Sequence, residues 1–250
     1  TVLPYNKIEP VRKVLKKQRL AAVFIEPVLG SGGCVPADRD FLKELRELCN
    51  ENSTLLVFDE VITGFRLAPG GAQQFFGIKP DITVLGKILG GGFPVGAIVA
   101  SGEIMEHMNP IIYERPRFSF HGGTFCANPV TMTAGLSTLK MLADGKIIRQ
   151  LNQKGDHLRQ GLRDIFERQG QDAQVTGVGS LWNTHFTKKP IKDSNDVAKA
   201  DREQLTRYHM HLIENGVYQP PTKTGGLCAA HKKADLEKLL AETEAYFKGI

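Results

Sequence analysis

Two short, wholly apolar runs separated by an amphipathic stretch restrict this chain more than any other feature. Ala21-Ala22-Val23-Phe24-Ile25 and Leu55-Leu56-Val57-Phe58 have no polar alternation. A strand buried on both faces has that pattern, whereas a strand with one wetted face alternates. Between them, after a Gly-rich turn at Gly30-Ser31-Gly32-Gly33, Pro36-Ala37-Asp38 opens a helix that puts Phe41, Leu42, Leu45, Leu48 and Cys49 on one face. Strand, helix and strand with a connection of this length form a βαβ unit. Its two strands are expected to be parallel, with a right-handed crossover.

The pattern continues with a third strand at Asp81–Leu85 and a fourth at Val95–Ala100. A helix from Asn128 to Ala143 follows, carrying Met132, Leu136, Leu139 and Leu142. Beyond Gly145 the character changes. A long amphipathic helix is expected from Ile147 to Gln169, with Leu151, Leu158, Leu162, Ile165 and Phe166 as its apolar stripe. Val175–Phe186 reads as one antiparallel strand, Ala198–Asn215 as a helix stopped by Gly216 at its C′ position, Leu227–Ala230 as a short strand, and Lys232–Phe247 as a terminal helix. The expected fold class is α/β. A mostly parallel sheet with helices occupies residues 1–145, and a small α+β unit occupies 146–250.

Composition excludes several classes. Of 250 residues, 41% are hydrophobic and 24% charged, which rules out a disordered or collagen-like chain. No apolar run is long enough to span a bilayer and no secretory signal opens the chain, so no membrane partner is expected. Four irregularly spaced cysteines without a CxxC pair fit neither a disulfide scaffold nor a zinc module, so a cytoplasmic protein without a metal is expected. The net charge is +5, but the basic residues are dispersed and no nucleic-acid motif accompanies them. The chain opens on Thr1 and reaches its first buried strand within two dozen residues, which suggests a piece of something longer.

Two side chains carry chemistry. Lys87 follows the third strand, flanked by Leu85, Gly86, Ile88 and Leu89 and followed by Gly90-Gly91-Gly92. An isolated loop lysine is ordinarily a surface residue. An apolar, glycine-rich setting instead predicts desolvation, which favours the neutral, nucleophilic amine. The segment is not a P-loop, because Asp81 stands where that motif needs a glycine and Ile88 where it needs a hydroxyl. Asp59 ends the second strand, which puts its carboxylate at the edge where open α/β sheets bind ligands, although taken alone a helix N-cap or a buried structural ion pair accounts for it equally well. An acid and a lysine at the ends of two strands of one sheet suit pyridoxal phosphate chemistry. The lysine forms a Schiff base and the acid keeps the ring nitrogen protonated.

In its longer motifs the chain resembles the class III aminotransferases of pyridoxal-phosphate fold type I, within them the glutamate-1-semialdehyde aminomutase-like branch. The resemblance is carried by Phe58-Asp59-Glu60-Val61-Ile62-Thr63-Gly64-Phe65-Arg66, Gly70-Gly71-Ala72-Gln73 and Phe76-Gly77-Ile78-Lys79-Pro80-Asp81. Leu85-Gly86-Lys87 through Ala97, Gly123-Thr124-Phe125 and Asn128-Pro129 extend it, as do Glu26-Pro27-Val28, Gly216-Val217-Tyr218 and Ala230-His231. It implies pyridoxal 5′-phosphate as cofactor, with residues 1–145 as the remaining part of the cofactor-binding large domain. It implies that Lys87 is the Schiff-base lysine and the base for the proton shift, that Asp59 pairs with the pyridine nitrogen, and that Val61 packs on one ring face. Gly123 and Thr124 are implied to reach a partner subunit's phosphate, which makes the protein a homodimer with its active site at the interface. The partners otherwise implied are a small-molecule amino donor and a carbonyl acceptor.

The chain departs from the aminomutase pattern at Ser31, where an Asn is usual, and between Pro220 and Leu227, where no acid stands. In the family, a segment carrying a phosphate loop, a stacking aromatic and most substrate-binding side chains precedes the point where Thr1 begins. A truncated aminotransferase is therefore expected. The aminomutase itself and a non-catalytic fragment that keeps the fold are the alternatives.

Overall fold

The computed structural model describes residues 1–112 and 117–249. In chain order the elements are α1 (Ile8–Lys17), β1 (Ala22–Ile25), β2 (Val28–Leu29), β3 (Val35–Pro36), α2 (Arg39–Glu51), β4 (Leu55–Glu60), α3 (Gly71–Phe76) and β5 (Ile82–Gly86). A single 3₁₀ turn (Lys87–Gly90), β6 (Gly96–Ala100), α4 (Gly102–Glu106) and α5 (Pro129–Leu142) follow. The chain ends with α6 (Lys146–Arg168), β7 (Ala173–Thr176), β8 (Leu181–Phe186), α7 (Ser194–Ala198), α8 (Arg202–Glu214), β9 (Gly225–Gly226) and α9 (Lys233–Lys248). Two compact units result. One holds Ile8–Pro27 and Arg39–Gly145; the other holds Lys146–Ile250 together with Thr1–Lys7 and Val28–Asp38. A single cut after residue 145 thus leaves two early segments on the wrong side. They belong with the C-terminal unit because they bond to it: Thr176 Oγ1 donates to the Gly33 carbonyl (2.6 Å) and Thr224 Oγ1 to the Gly30 carbonyl (2.7 Å).

The first unit is built on a four-stranded sheet in the order β1-β4-β5-β6. β1 and β4 are parallel, as the βαβ pattern requires, and β4 and β5 are parallel too; β6 runs antiparallel to β5. The α2 stripe is buried at all five expected positions, against a layer that includes Leu56, Val57 and Phe58. Arg46 and Asp81 brace this layer. The Asp81 Oδ2 accepts from Arg46 Nη1 (2.8 Å) and from the Leu56 N–H (2.7 Å), so the acid preceding β5 ties it to the start of β4.

The second unit closes over α6, α8 and α9 with a core of Leu158, Leu162, Phe166, Trp182, Phe186, Tyr208 and Leu212. Phe166, Phe186, Tyr208 and Phe247 meet edge to face, a geometry favoured by the ring quadrupoles. Three expectations are corrected here. Val175–Phe186 is not one strand but the hairpin of β7 and β8, because Gly177 turns the chain at φ 126°, a conformation open to glycine. The last strand lies at Gly225–Gly226 rather than 227–230, because the Gly225 backbone seats against the Trp182 ring, leaving no room for a Cβ. The 198–215 helix begins at Arg202, where Asp201 caps it by accepting from the Gln204 N–H (2.8 Å). It does end at Gly216, which takes φ 78°. Among the described residues no helix is long and apolar enough to cross a membrane.

Candidate active site

Asp59 and Lys87 stand at the same edge of the sheet. β4 and β5 are parallel neighbours in a register that sets Asp59 opposite Val84 and Glu60 opposite Leu85. Lys87 follows three residues after Val84, about 10 Å further along at the usual strand rise. Asp59 is half-buried; its Oδ1 accepts from the Val61 N–H (3.0 Å). Its Oδ2 has no hydrogen bond among the described residues. Lys87 is exposed, against the desolvation expected from its apolar sequence neighbours. It opens the 3₁₀ turn after β5 with a φ of 47°. No hydrogen bond or ion pair among the described residues engages its amine. Val61 is half-buried and packs toward Gly86, where a Cβ would lie 3.3 Å from Val61 Cγ1.

Glu60 is the residue that sequence reasoning passed over. It alternates to the opposite face from Asp59 and is 1% exposed. Its carboxylate accepts from Thr63 Oγ1 (3.1 Å), from the Ala72 N–H, and from the N–H (3.1 Å) and Nε2 (3.3 Å) of Gln73. It thereby satisfies the free N–H groups at the start of α3, for which Gly70 offers no side chain. Gly71 must be glycine: it takes φ 71°, and a Cβ there would sit 2.3 Å from Glu60 Oε2. The signal was present as an acid thirteen residues before Gln73, but only the folded chain brings the two together.

Gly123 and Thr124 lie in an exposed loop that leads to Asn128. Asn128 caps α5 by accepting from the Thr131 N–H (2.9 Å), with Pro129 in the first turn. The loop borders a cleft of about 1000 Å³, lined also by Leu89, Phe125, Met132 and Leu136. Lys87 and Asp59 are not among the residues that line this cleft, whereas Gly123 and Thr124 are. His121 lines the cleft as well. Among the described residues no cluster of His, Cys, Asp or Glu is arranged to hold a metal ion.

The fold is a mostly parallel α/β sheet with an acid near the end of β4 and a lysine just after β5, and comparison with known proteins identifies its family. The profile of the aminotransferase class-III family matches residues 4–222, and the chain belongs to that family. It is 39% identical over 254 residues to a glutamate-1-semialdehyde 2,1-aminomutase of Methanothermobacter thermautotrophicus, matching 99% of this chain but 59% of that protein. Its fold is similar to a β-phenylalanine aminotransferase from Variovorax paradoxus, with a TM-score of 0.94 and 34% identity, covering 100% of this chain and 57% of the other. It is also similar to a transaminase with PLP bound, at a TM-score of 0.86 and 27% identity, again covering 100% and 57%. The chain thus spans rather more than half the length of the relatives it matches.

Proposed function

We propose that this chain carries the catalytic core of a pyridoxal-phosphate-dependent aminotransferase, moving an amino group between an amino acid or amine and a carbonyl acceptor. The observation that supports it is that Asp59, near the end of β4, and Lys87, in the turn that follows the adjacent parallel strand β5, lie toward the same sheet edge, each with an unengaged polar atom among the described residues. These residues fit the cofactor. An amine with no partner is available to an aldehyde, an acid with one free oxygen is available to a ring nitrogen, and the backbone at Gly92 and Gly96 has open space before it. When bound, pyridoxal 5′-phosphate supplies an aldehyde for amines and a protonated ring that withdraws electrons from the substrate carbon.

The chain's own residues then divide the work. Lys87 Nζ would hold the cofactor and would serve as the base that accepts and returns a proton. The Asp59 carboxylate would pair with the ring nitrogen, and the Val61 side chain would pack on one ring face. The backbone N–H groups at Gly123 and Thr124 receive a phosphate, that of a partner subunit, so the working form is a homodimer. The reading includes a cytoplasmic setting, which the irregular cysteine spacing suggests. The aminomutase relative favours a second reading, glutamate-1-semialdehyde 2,1-aminomutase. Ser31 and the acid-free stretch from Pro220 to Leu227 favour the plain aminotransferase.

The experiment is to incubate the chain with pyridoxal 5′-phosphate, reduce with borohydride and map the modified peptide. The adduct is expected on Lys87 and is expected to vanish in Lys87→Ala. Recovery at a different lysine, or undiminished labelling of the variant, would refute the reading.

A further inference from the structure

Among the described residues no partner fixes the Lys87 amine, so its position is set by the backbone that carries it. That backbone is gripped from one side by α5. We propose that the seam between α5 and the Lys87–Gly90 turn, closed through Gly135 and Gly91, is the device that positions Lys87; this rests on the reading of Lys87 as the cofactor-binding lysine.

The seam contains backbone on both sides. A Cβ on Gly135 would stand 2.4 Å from the Leu89 carbonyl oxygen. A Cβ on Gly91 would stand 2.5 Å from the Ala134 carbonyl oxygen and 2.7 Å from Thr138 Oγ1. The contact is reciprocal, and neither carbonyl can rotate away as a flexible side chain would. Glycine inside a helix is disfavoured relative to alanine, so the helix by itself argues against Gly135. The close approach of Leu89 explains it. Gly91 also takes φ 59°, and the turn is closed by the Gly91 N–H donating to the Ile88 carbonyl (3.0 Å) and the Phe93 N–H to the Gly90 carbonyl (3.1 Å). At the other end of the same turn Lys87 holds φ 47°. A side-chain-bearing residue keeps such a conformation where its surroundings over-determine it. Here the surroundings are β5 before it and the glycine seam after it. Thr131, buried one turn earlier on α5, and the Asn128 cap hold the helix end in place.

The test uses the 250-residue chain carrying Gly135→Ala, with Ser137→Ala on the exposed side of α5 as control. Three quantities are read: the rate of borohydride-trapped pyridoxal 5′-phosphate attachment at Lys87, the rate of Lys87 methylation by formaldehyde and borohydride, and amide hydrogen exchange of residues 87–93. In Gly135→Ala, cofactor attachment is expected to slow by about tenfold or more, the scale of a sub-ångström to ångström misplacement. Exchange in 87–93 is expected to quicken, while methylation, which needs only an accessible amine, keeps the wild-type rate. Ser137→Ala should change none of the three. Wild-type attachment or wild-type exchange in Gly135→Ala overturns the proposal. Failure of the wild-type chain to attach cofactor at Lys87 would instead remove the functional reading, and exchange alone then decides the seam. If Gly135→Ala does not fold, exchange in the wild-type chain decides. Gly91 and Phe93 amides that open together with α5 support the seam, and amides that exchange independently of it overturn it.

Discussion

Asp59 and Glu60 are neighbouring carboxylates sent to opposite faces by the period of a strand. Glu60 is spent on structure, its two oxygens shared among four donors. Asp59 keeps an oxygen free at the ligand edge. Asp59→Asn is therefore expected to retain the fold and cofactor attachment. In the complete enzyme it is expected to slow amino transfer about 100-fold, the scale of losing one preorganised electrostatic partner; half-reaction kinetics would check this, and activity within a few-fold of wild type would contradict it. A second residue sets a pH limit. His209 is fully buried, its Nδ1 accepts from the Thr222 N–H (2.9 Å), and burial pushes its pKa down to about 4 from 6.5. Between those values the unfolded chain binds a proton that the folded chain does not, so stability falls as pH drops through that window and levels off below it. Burial lowers His185 in the same direction, opposed by its hydrogen bond to the Gly33 carbonyl. Denaturant melts from pH 7 to 4 should show the loss, and His209→Gln should flatten it. An unchanged slope in the variant would assign the effect elsewhere.

At the scale of elements, glycine decides where strands turn and where they can touch. β9 is two glycines long, and Gly225 lies against the face of Trp182, with a built Cβ only 2.3 Å from the ring. Gly225→Ala must displace either the indole or the strand, and is expected to cost about 1–3 kcal/mol, as overpacking of a filled core does. Trp182 is the sole tryptophan of the chain, so its fluorescence reports the change directly. An unshifted emission spectrum and melting midpoint would contradict the assignment. α1 and α3 escaped sequence reading for related reasons. α1 buries only Val11 and Leu15 and carries Pro10 in its first turn. α3 has six residues and takes its N-terminal support from Glu60 on β4 rather than from a cap in its own sequence.

Across the first unit the sheet ends in two edges, β1 and β6, and among the described residues no further strand covers either. On those strands Phe24 is 74% exposed, and Ile98 and Val99 are exposed; elsewhere in the unit Phe120 and Phe125 in the loop before α5, and Met132, Leu136 and Met141 on α5, are exposed as well. Edges and apolar patches of this kind are interaction surfaces. The chain is accordingly expected to sediment as a dimer or larger species at micromolar concentration in the presence of cofactor. A monomer under those conditions would remove the homodimer from the functional reading.

The amino-acid sequence determined the layered part of this protein by itself. The double burial expected of the first apolar run fails, because β1 is an edge strand and Phe24 on it is exposed. The runs and the periodic helices between them still give β1, α2, β4, β5, α5 and α6 from pattern, and strand direction sends Asp59 and the segment leading to Lys87 toward the same sheet edge. Those are consequences of period and chain direction, which are local. Tertiary structure alone decided what depends on contacts between distant residues. It decided that Glu60 supports α3, that Val28–Asp38 joins the C-terminal unit, and that Trp182 takes up Gly225. It decided also that Lys87 stands in the open on a left-handed backbone, because the space around a side chain is made by segments its own neighbours do not encode.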